Sequence, residues 1–194
     1  MLILVSGGET AADAPRARMG GVPLAPEGFT WPVCRQCGGP MRFIAHLPLA
    51  EAVFSVFSCE NDPGACENWY PWEGANRVHV FPPAATLAPV EVPAEGETLL
   101  ETALAIRVAD REEYYGAAAD PPVAARRELG GVHALPEWFA ADRVPVCPGC
   151  AAPMPHVADL RGGPRDGPSP NFGGGEAYVF HCAPCGEAAV LNEG

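Results

Sequence analysis

The sequence predicts a mainly β fold, an α+β arrangement with few short helices, in which two β-rich halves repeat each other. Its 22 glycines and 23 prolines make up 45 of the 194 residues, which disfavours long helices and favours short strands joined by turns. Short apolar runs lie between these turns, and one segment recurs later in the chain. We therefore expect residues 1–194 to form a single duplicated domain, with one half at about 16–81, a connector at about 82–124 and another half at about 125–194.

The repeat is clearest around two cysteine turns. Residues 32–47, PVCRQCGGPMRFIAHL, align without gaps on residues 145–160, PVCPGCAAPMPHVADL, at a constant offset of 113. Eight of the sixteen positions are identical, and they include both cysteines of each turn. Upstream, RARMGGV at 16–22 matches RRELGGV at 126–132. Each half therefore has the same order of a Gly-Gly turn, a cysteine turn, a strand, a loop, a second strand and closing cysteines.

Apolar and alternating segments predict where the strands lie. The predicted strands are at 41–49, 53–59, 76–81, 102–108 and 177–182. Segments 82–97 and 116–124 are rich in Ala and Pro, which predicts connecting structure. One short helix is predicted at 121–129, and the Gly- and Pro-rich stretch at 161–175 is interpreted as a flexible insertion.

Residues 1–5 are a brief apolar run with no preceding positive charge and no small-residue cleavage pattern behind it, unlike a secretory signal. No apolar run approaches the roughly 20 residues that a membrane span needs. We therefore expect a cytoplasmic protein, in which cysteines stay reduced and paired spacings favour metal binding over disulfides.

Eight cysteines in four pairs predict two metal sites. Three pairs have the CxxC spacing, which lets one tight turn direct two thiolates at a single tetrahedral ion. We expect two structural Zn²⁺ ions, each in a zinc-ribbon-like site, and we pair the cysteines within each half because local loops cost less closure entropy. An exchanged arrangement between the halves stays open. The expected ligands are Cys34, Cys37, Cys59 and Cys66 in the first site, and Cys147, Cys150, Cys182 and Cys185 in the second.

Cys66 has an alternative interpretation. It follows Cys59 after six residues, a longer spacing than is usual in zinc ribbons. The Asp-Pro-Gly sequence at 62–64 supplies a turn that would return the chain to the ion. In the alternative, Cys66 is a buried thiol, and Asp62, His46 or water completes the first site.

Charge and motifs narrow the function classes. The formal net charge is −12, and each site of four thiolates and one Zn²⁺ carries −2, so two sites bring the charge to −16. This charge disfavours nucleic-acid and anionic-membrane binding. The chain has no lysine, and it lacks the nucleophile-elbow, HExxH and phosphate-loop motifs. A closed four-thiolate shell also leaves zinc no open position for water, so we expect no catalytic residues. An enzyme of unrecognised type with purely structural zinc remains the alternative.

Trp69, Tyr70 and Trp72 are the candidate contacts for a protein partner, since large aromatic residues are enriched at interfaces. In the alternative interpretation, these rings are core residues that cover the first metal site.

Several segments resemble a known bacterial family. They are GGVP at 20–23, WP at 31–32, PMRFIA at 40–45, CENDPGACENW at 59–69 and NFGGG at 171–175 before a final CxxCG. Over about residues 16–190 the chain resembles the bacterial YwqG-like domain of unknown function, which is distantly similar to the programmed cell death protein 2 family. The resemblance implies a β-rich fold of two halves with structural metal. One departure is His46, where the family pattern has glutamine, and its counterpart in the second half is Asp159.

The expected function is a non-enzymatic, zinc-binding module for protein–protein interaction with an unidentified basic protein. The acidic charge favours a cationic partner. The family likeness implies, by analogy, a role like that of the dedicated chaperones of a ribosomal protein. An adaptor, or an immunity-type protein that neutralises a basic toxin, belongs to the same class.

Overall fold

The structure is a computed structural model, and it describes residues 1–62, 64–100, 102–117, 128–162, 170, 172 and 175–193. In these ranges strands dominate, and the regular elements in chain order are β1 (Leu2–Glu9), β2 (Arg18–Met19), β3 (Leu24–Ala25), β4 (Arg42–Pro48), β5 (Val53–Ser58), β6 (Asn76–Phe81), β7 (Ala88–Pro89), β8 (Leu104–Asp110), α1 (Arg111–Ala117), β9 (Glu128–Gly131), a 3-10 helix (Ala141–Arg143), β10 (His156–Arg161), β11 (Glu176–Cys182) and β12 (Glu187–Glu193). The mainly β prediction is confirmed.

The strands of the described residues form three antiparallel sheets. The largest has seven strands in the order β6-β5-β4-β2-β8-β1-β9, the second has the order β10-β11-β12, and β3 pairs with β7. The chain start, which the sequence did not predict as a strand, forms β1 between β8 and β9. Each cysteine turn is followed by a three-stranded meander, β4-β5-β6 or β10-β11-β12. The relation between the two halves as a duplication stays a prediction.

The two larger sheets meet at both of their edges. Beside β9, the His133 N–H donates to the Val157 carbonyl at 2.9 Å and Val132 bridges Ala158. Beside β12, the side-chain amide of Asn76 on β6 donates to the Val190 carbonyl at 3.3 Å. One buried apolar cluster therefore takes residues from both sheets, among them Ile44, Phe54, Leu160 and Val179.

The single described α-helix was not predicted as a helix. The Asp110 carboxylate caps α1 by accepting hydrogen bonds from the backbone N–H groups of Glu113 and Glu112, which lower the pKa of Asp110. The helix predicted at 121–129 is wrong at its end, because Glu128 and Leu129 lie in β9, while 121–127 lie outside the described residues. Most of 163–174 also lies outside them. No helix in the described ranges is both long and apolar enough to cross a membrane.

Gly21→Ala is expected to destabilise the protein far more than Gly28→Ala. Both glycines have left-handed backbone, with φ of 76° and 81°. A Cβ at Gly21 would lie 2.2 Å from the Ala12 carbonyl oxygen, whereas at Gly28 nothing lies within 4 Å. We expect a loss of about 1 kcal/mol at Gly28 from backbone strain and about 3 kcal/mol or more at Gly21, measured by urea unfolding. Equal losses of unfolding free energy in the two variants would show that the backbone around Gly21 shifts to make room for the added methyl group.

Candidate metal centres

The first cysteine site lies at the end of the β4-β5-β6 meander. Cys34 and Cys37 come from the turn before β4, Cys59 follows β5, and Cys66 lies in the loop before β6. The four sulfurs all lie within 4.8 Å of one another, and the sulfurs of Cys37 and Cys59 are 3.6 Å apart. Sulfurs bound at about 2.3 Å in a tetrahedral site are about 3.8 Å apart, so the cluster fits one metal ion. All four are free cysteines.

Backbone hydrogen bonds shape the turn that presents Cys34 and Cys37. The Cys34 N–H donates to the Gly39 carbonyl at 2.8 Å, and the Gly38 N–H donates back to the Cys34 carbonyl at 2.9 Å. Gly38 has a φ of 73°, which glycine adopts without strain. The turn therefore folds under the sulfurs and holds them on one side.

Cys66 joins the other three sulfurs, and neither Asp62 nor His46 belongs to the cluster. The Asn68 N–H donates to the Cys66 carbonyl at 2.9 Å, within the loop that returns the chain after Asp62. His46 instead lies in β4 opposite Arg18. Burial, followed by the charge of Arg18, lowers the pKa of His46 to about 4. The first site is therefore formed by four cysteines, all from the first half of the chain.

The second site repeats this construction. The sulfurs of Cys147, Cys150, Cys182 and Cys185 lie within 4.8 Å of one another, and those of Cys150 and Cys182 are 3.7 Å apart. The Cys147 N–H donates to the Ala152 carbonyl at 2.9 Å, and the Ala151 N–H donates to the Cys147 carbonyl at 2.8 Å. These bonds correspond to those of the first turn at the sequence offset of 113. Both sites therefore form within their own half, without exchange of ligands.

The thiols in each site differ in how easily they ionise. Burial opposes ionisation of Cys37, but hydrogen bonds from the Gly39 backbone and from neighbouring thiols outweigh it and lower its pKa to about 7. Burial likewise opposes ionisation of Cys147, and backbone hydrogen bonds from Cys150 and Gly149 lower its pKa to about 7. Hydrogen bonds with Cys150 and Cys182 raise the pKa of Cys185 to about 12. Several adjacent thiolates repel one another, so a bound cation is needed to hold all four ionised.

No protein-family profile and no curated protein sequence matches the chain.

The aromatic segment at 69–72 lies at the surface. Trp69, Tyr70 and Trp72 are exposed by 38%, 49% and 44%, so they are not core residues of the first site. That site is covered instead by a buried cluster that includes Phe43 and Phe57. The core interpretation of this segment is therefore wrong, and its role as a partner contact stays a prediction.

Contacts with the second half fix this segment in place. The Arg143 guanidinium donates to the Trp69 carbonyl at 3.0 Å and lies over the Tyr70 ring, 5.5 Å from its centroid. The Asn192 N–H donates to the Asn68 carbonyl at 2.9 Å. Since Asn68 follows Cys66 by two residues, the segment runs from the first cysteine site directly onto the second half.

One group of charged side chains in the described part of the chain, away from the cysteine sites, is paired internally. Arg161 donates to Glu128 and to Glu176 at 2.6 Å each, and the Tyr178 hydroxyl donates to Glu176 at 2.7 Å. Asp159, the counterpart of His46, is buried nearby and accepts a hydrogen bond from the Gly131 N–H at 2.9 Å. Burial is the main cause that raises the pKa of Asp159 to about 6. Sequence spacing offered no signal for this network.

Proposed function

We propose that this protein is a non-enzymatic module in which two structural Zn²⁺ ions hold a surface that binds another protein. The observation that carries the proposal is the exposed aromatic segment at 69–72, fixed between one four-cysteine site and the opposite half. Rigid, exposed aromatic side chains supply large contact area with little loss of side-chain entropy, so they suit a binding surface.

The donor sets favour zinc. Four thiolates in tetrahedral arrangement are typical ligands of structural Zn²⁺, and the sulfur separations of 3.6 and 3.7 Å match its bond lengths. A shell of four protein ligands leaves no position at which the ion could activate water. In this proposal the ions stabilise the turns and loops around them and take no part in chemistry.

The proposed partner is a basic protein. The charge of −12, or −16 with both zinc sites formed, attracts cationic surfaces and speeds encounter with them. The resemblance to the YwqG-like domain, and through it to the programmed cell death protein 2 family, supports by analogy a chaperone of a basic protein. An adaptor or an immunity-type neutraliser of a basic toxin would use the same charge.

Protein purified without chelator is expected to contain two zinc ions per chain. Each site offers four thiolates to one ion, and no ligand is shared between the sites. Elemental analysis of the intact chain measures the ratio directly. One ion per chain, or iron with visible colour, would contradict the two-zinc proposal.

Binding to the partner is expected to weaken with salt. We expect the dissociation constant to rise about tenfold between about 0.05 M and about 0.5 M NaCl, because screening shortens the range of charge attraction. The partner would be captured from native cell extract, identified, purified and titrated by calorimetry.

Two variants test whether the aromatic segment at 69–72 binds the partner, or whether loss of any exposed tryptophan weakens binding. Trp72→Ala is expected to weaken binding at least tenfold, while Trp138→Ala, at a position 60% exposed outside the segment, leaves it unchanged. An acidic partner, or binding indifferent to salt, would contradict the electrostatic proposal. Equal effects of the two variants would contradict the role of the aromatic segment.

A further inference from the structure

We propose that the second cysteine site is an oxidation site, at which peroxide converts Cys150 and Cys185 to a disulfide and releases the metal ion while the first site keeps its own. The inference rests on the proposed function in one respect, namely that both sites hold Zn²⁺. Three differences between two otherwise similar sites support it: the exposure of the thiols, the side chains around the sulfurs, and the residue inside each turn.

Exposure is the first difference. In the second site Cys150 and Cys185 are both exposed, and their sulfurs lie within 4.8 Å of each other. In the first site only Cys37 is exposed, and the other three cysteines are buried. A disulfide needs two thiols, and only the second site offers an accessible pair that can react with a dissolved oxidant.

Asn61 makes the second difference. Its side-chain amide lies 3.6 Å from the Cys37 sulfur and 3.4 Å from the Cys59 sulfur, and it also donates to the Pro40 carbonyl at 3.0 Å. An amide donor draws electron density from a thiolate, which lowers its nucleophilicity and holds it in place. Across the described part of the chain, no side-chain amide donates to a sulfur of the second site.

The residue inside each turn is the third difference. Gln36 donates to the Glu73 carbonyl at 3.3 Å and accepts from the Glu67 N–H at 2.9 Å, so it ties the first turn to the loop after Cys66. The residue 113 positions later is Gly149, which has no side chain to make such a tie. A Cβ at Gly149 would lie 3.1 Å from the Cys185 sulfur, so Gly149 packs directly against the exposed thiol.

The reaction consumes one hydrogen peroxide. One exposed thiolate attacks a peroxide oxygen, forms a sulfenic acid and releases hydroxide. The second thiolate attacks the sulfenic sulfur, so that the S–S bond forms and a second hydroxide leaves. Two protons convert these hydroxides to water, and two more protonate Cys147 and Cys182. With two of its four ligands oxidised, Zn²⁺ is released.

The test uses the full chain loaded with zinc and treated with hydrogen peroxide. A zinc-binding dye follows metal release, and mass spectrometry maps disulfides during the reaction. We expect one zinc ion per chain to be released at least about tenfold faster than the other, with a Cys150–Cys185 disulfide and unmodified cysteines in the first site. Dithiothreitol and added Zn²⁺ are expected to restore the starting state.

Variants of the first site test the cause of its protection. Asn61→Leu is expected to accelerate release of the slower zinc ion, whereas Glu67→Gln, which keeps the backbone N–H bonded to Gln36, leaves it unchanged. Equal release rates in the unaltered protein, or earlier oxidation of the first site, would overturn the inference. Starting protein with fewer than two zinc ions would contradict the proposed function instead, and the order of disulfide formation would still test the inference.

Discussion

Cys182→Ser is expected to unfold the second half of the protein. Structural zinc contributes roughly 10 to 16 kcal/mol in small peptides, comparable with the roughly 5 to 15 kcal/mol that keeps a whole domain folded. In this chain the site is part of a buried cluster, in which Cys147 and Cys182 pack with Phe139, Tyr178 and Phe180. Loss of a bound ion would therefore also disrupt the packing of these aromatic side chains against the cysteines. We expect insoluble protein, or protein with about one zinc ion fewer per chain by elemental analysis.

Ala183→Ser is the matched control for this variant. Ala183 is an exposed residue in the same turn and lies one position from the ligand, so it receives the same hydroxyl without touching the metal. We expect full zinc content and unchanged thermal unfolding. Cys147→Ser is expected to behave like Cys182→Ser. A soluble Cys182→Ser protein that retains both ions would show that Cys182 is not a ligand.

Arg18→Leu is expected to cost about 3 to 5 kcal/mol of unfolding free energy, because three carbonyls lose their donor at roughly 1 to 3 kcal/mol each, offset in part because leucine buries no charge. The Arg18 side chain is fully buried, and its guanidinium donates to the carbonyls of Ala14, Gly20 and Val22. Burial lowers the pKa of Arg18 to about 10, while Asp13 acts to raise it, so the group stays charged near neutral pH. Leucine would leave these carbonyls without their donor.

Arg16→Leu provides the comparison, because Arg16 is exposed two residues earlier on the same segment. We expect it to change stability by no more than about 0.5 kcal/mol, as is usual for surface substitutions. Urea unfolding of the three proteins under identical zinc concentrations measures both differences. Similar losses in the two variants would mean that the Arg18 hydrogen bonds add no net stability.

Local patterns predicted the cysteine sites and several strands well. CxxC turns and the strands that follow them are set by neighbours in sequence, and the structure has β5 at Val53–Ser58 and β6 at Asn76–Phe81, close to the predicted limits. Cys66 needed the loop geometry, because its spacing from Cys59 allowed either a ligand or a buried thiol.

Long-range contacts decided what the sequence could not. The sequence predicts a helix that ends at Leu129, but Leu129 lies in β9, a strand that pairs with β1 at the start of the chain. Arg18 carries a charge that favours the surface, yet it is buried because nearby carbonyls accept hydrogen bonds from its guanidinium. The exposure of Trp72 likewise depends on how the segment after Cys66 packs against the second half. None of these three placements could be predicted from the residues nearby in sequence.

The meeting of the two larger sheets at both edges also bears on aggregation. An unpaired strand edge is a template on which another chain can add a strand. Here β6 lies beside β12 and β9 beside β10, so these edges cover one another within one molecule. A chain divided between its two halves, after β8 and before β9, would separate β6 from β12 and β1 from β9, and so expose these four strands. Either half expressed alone is therefore expected to self-associate, even with its own metal site intact.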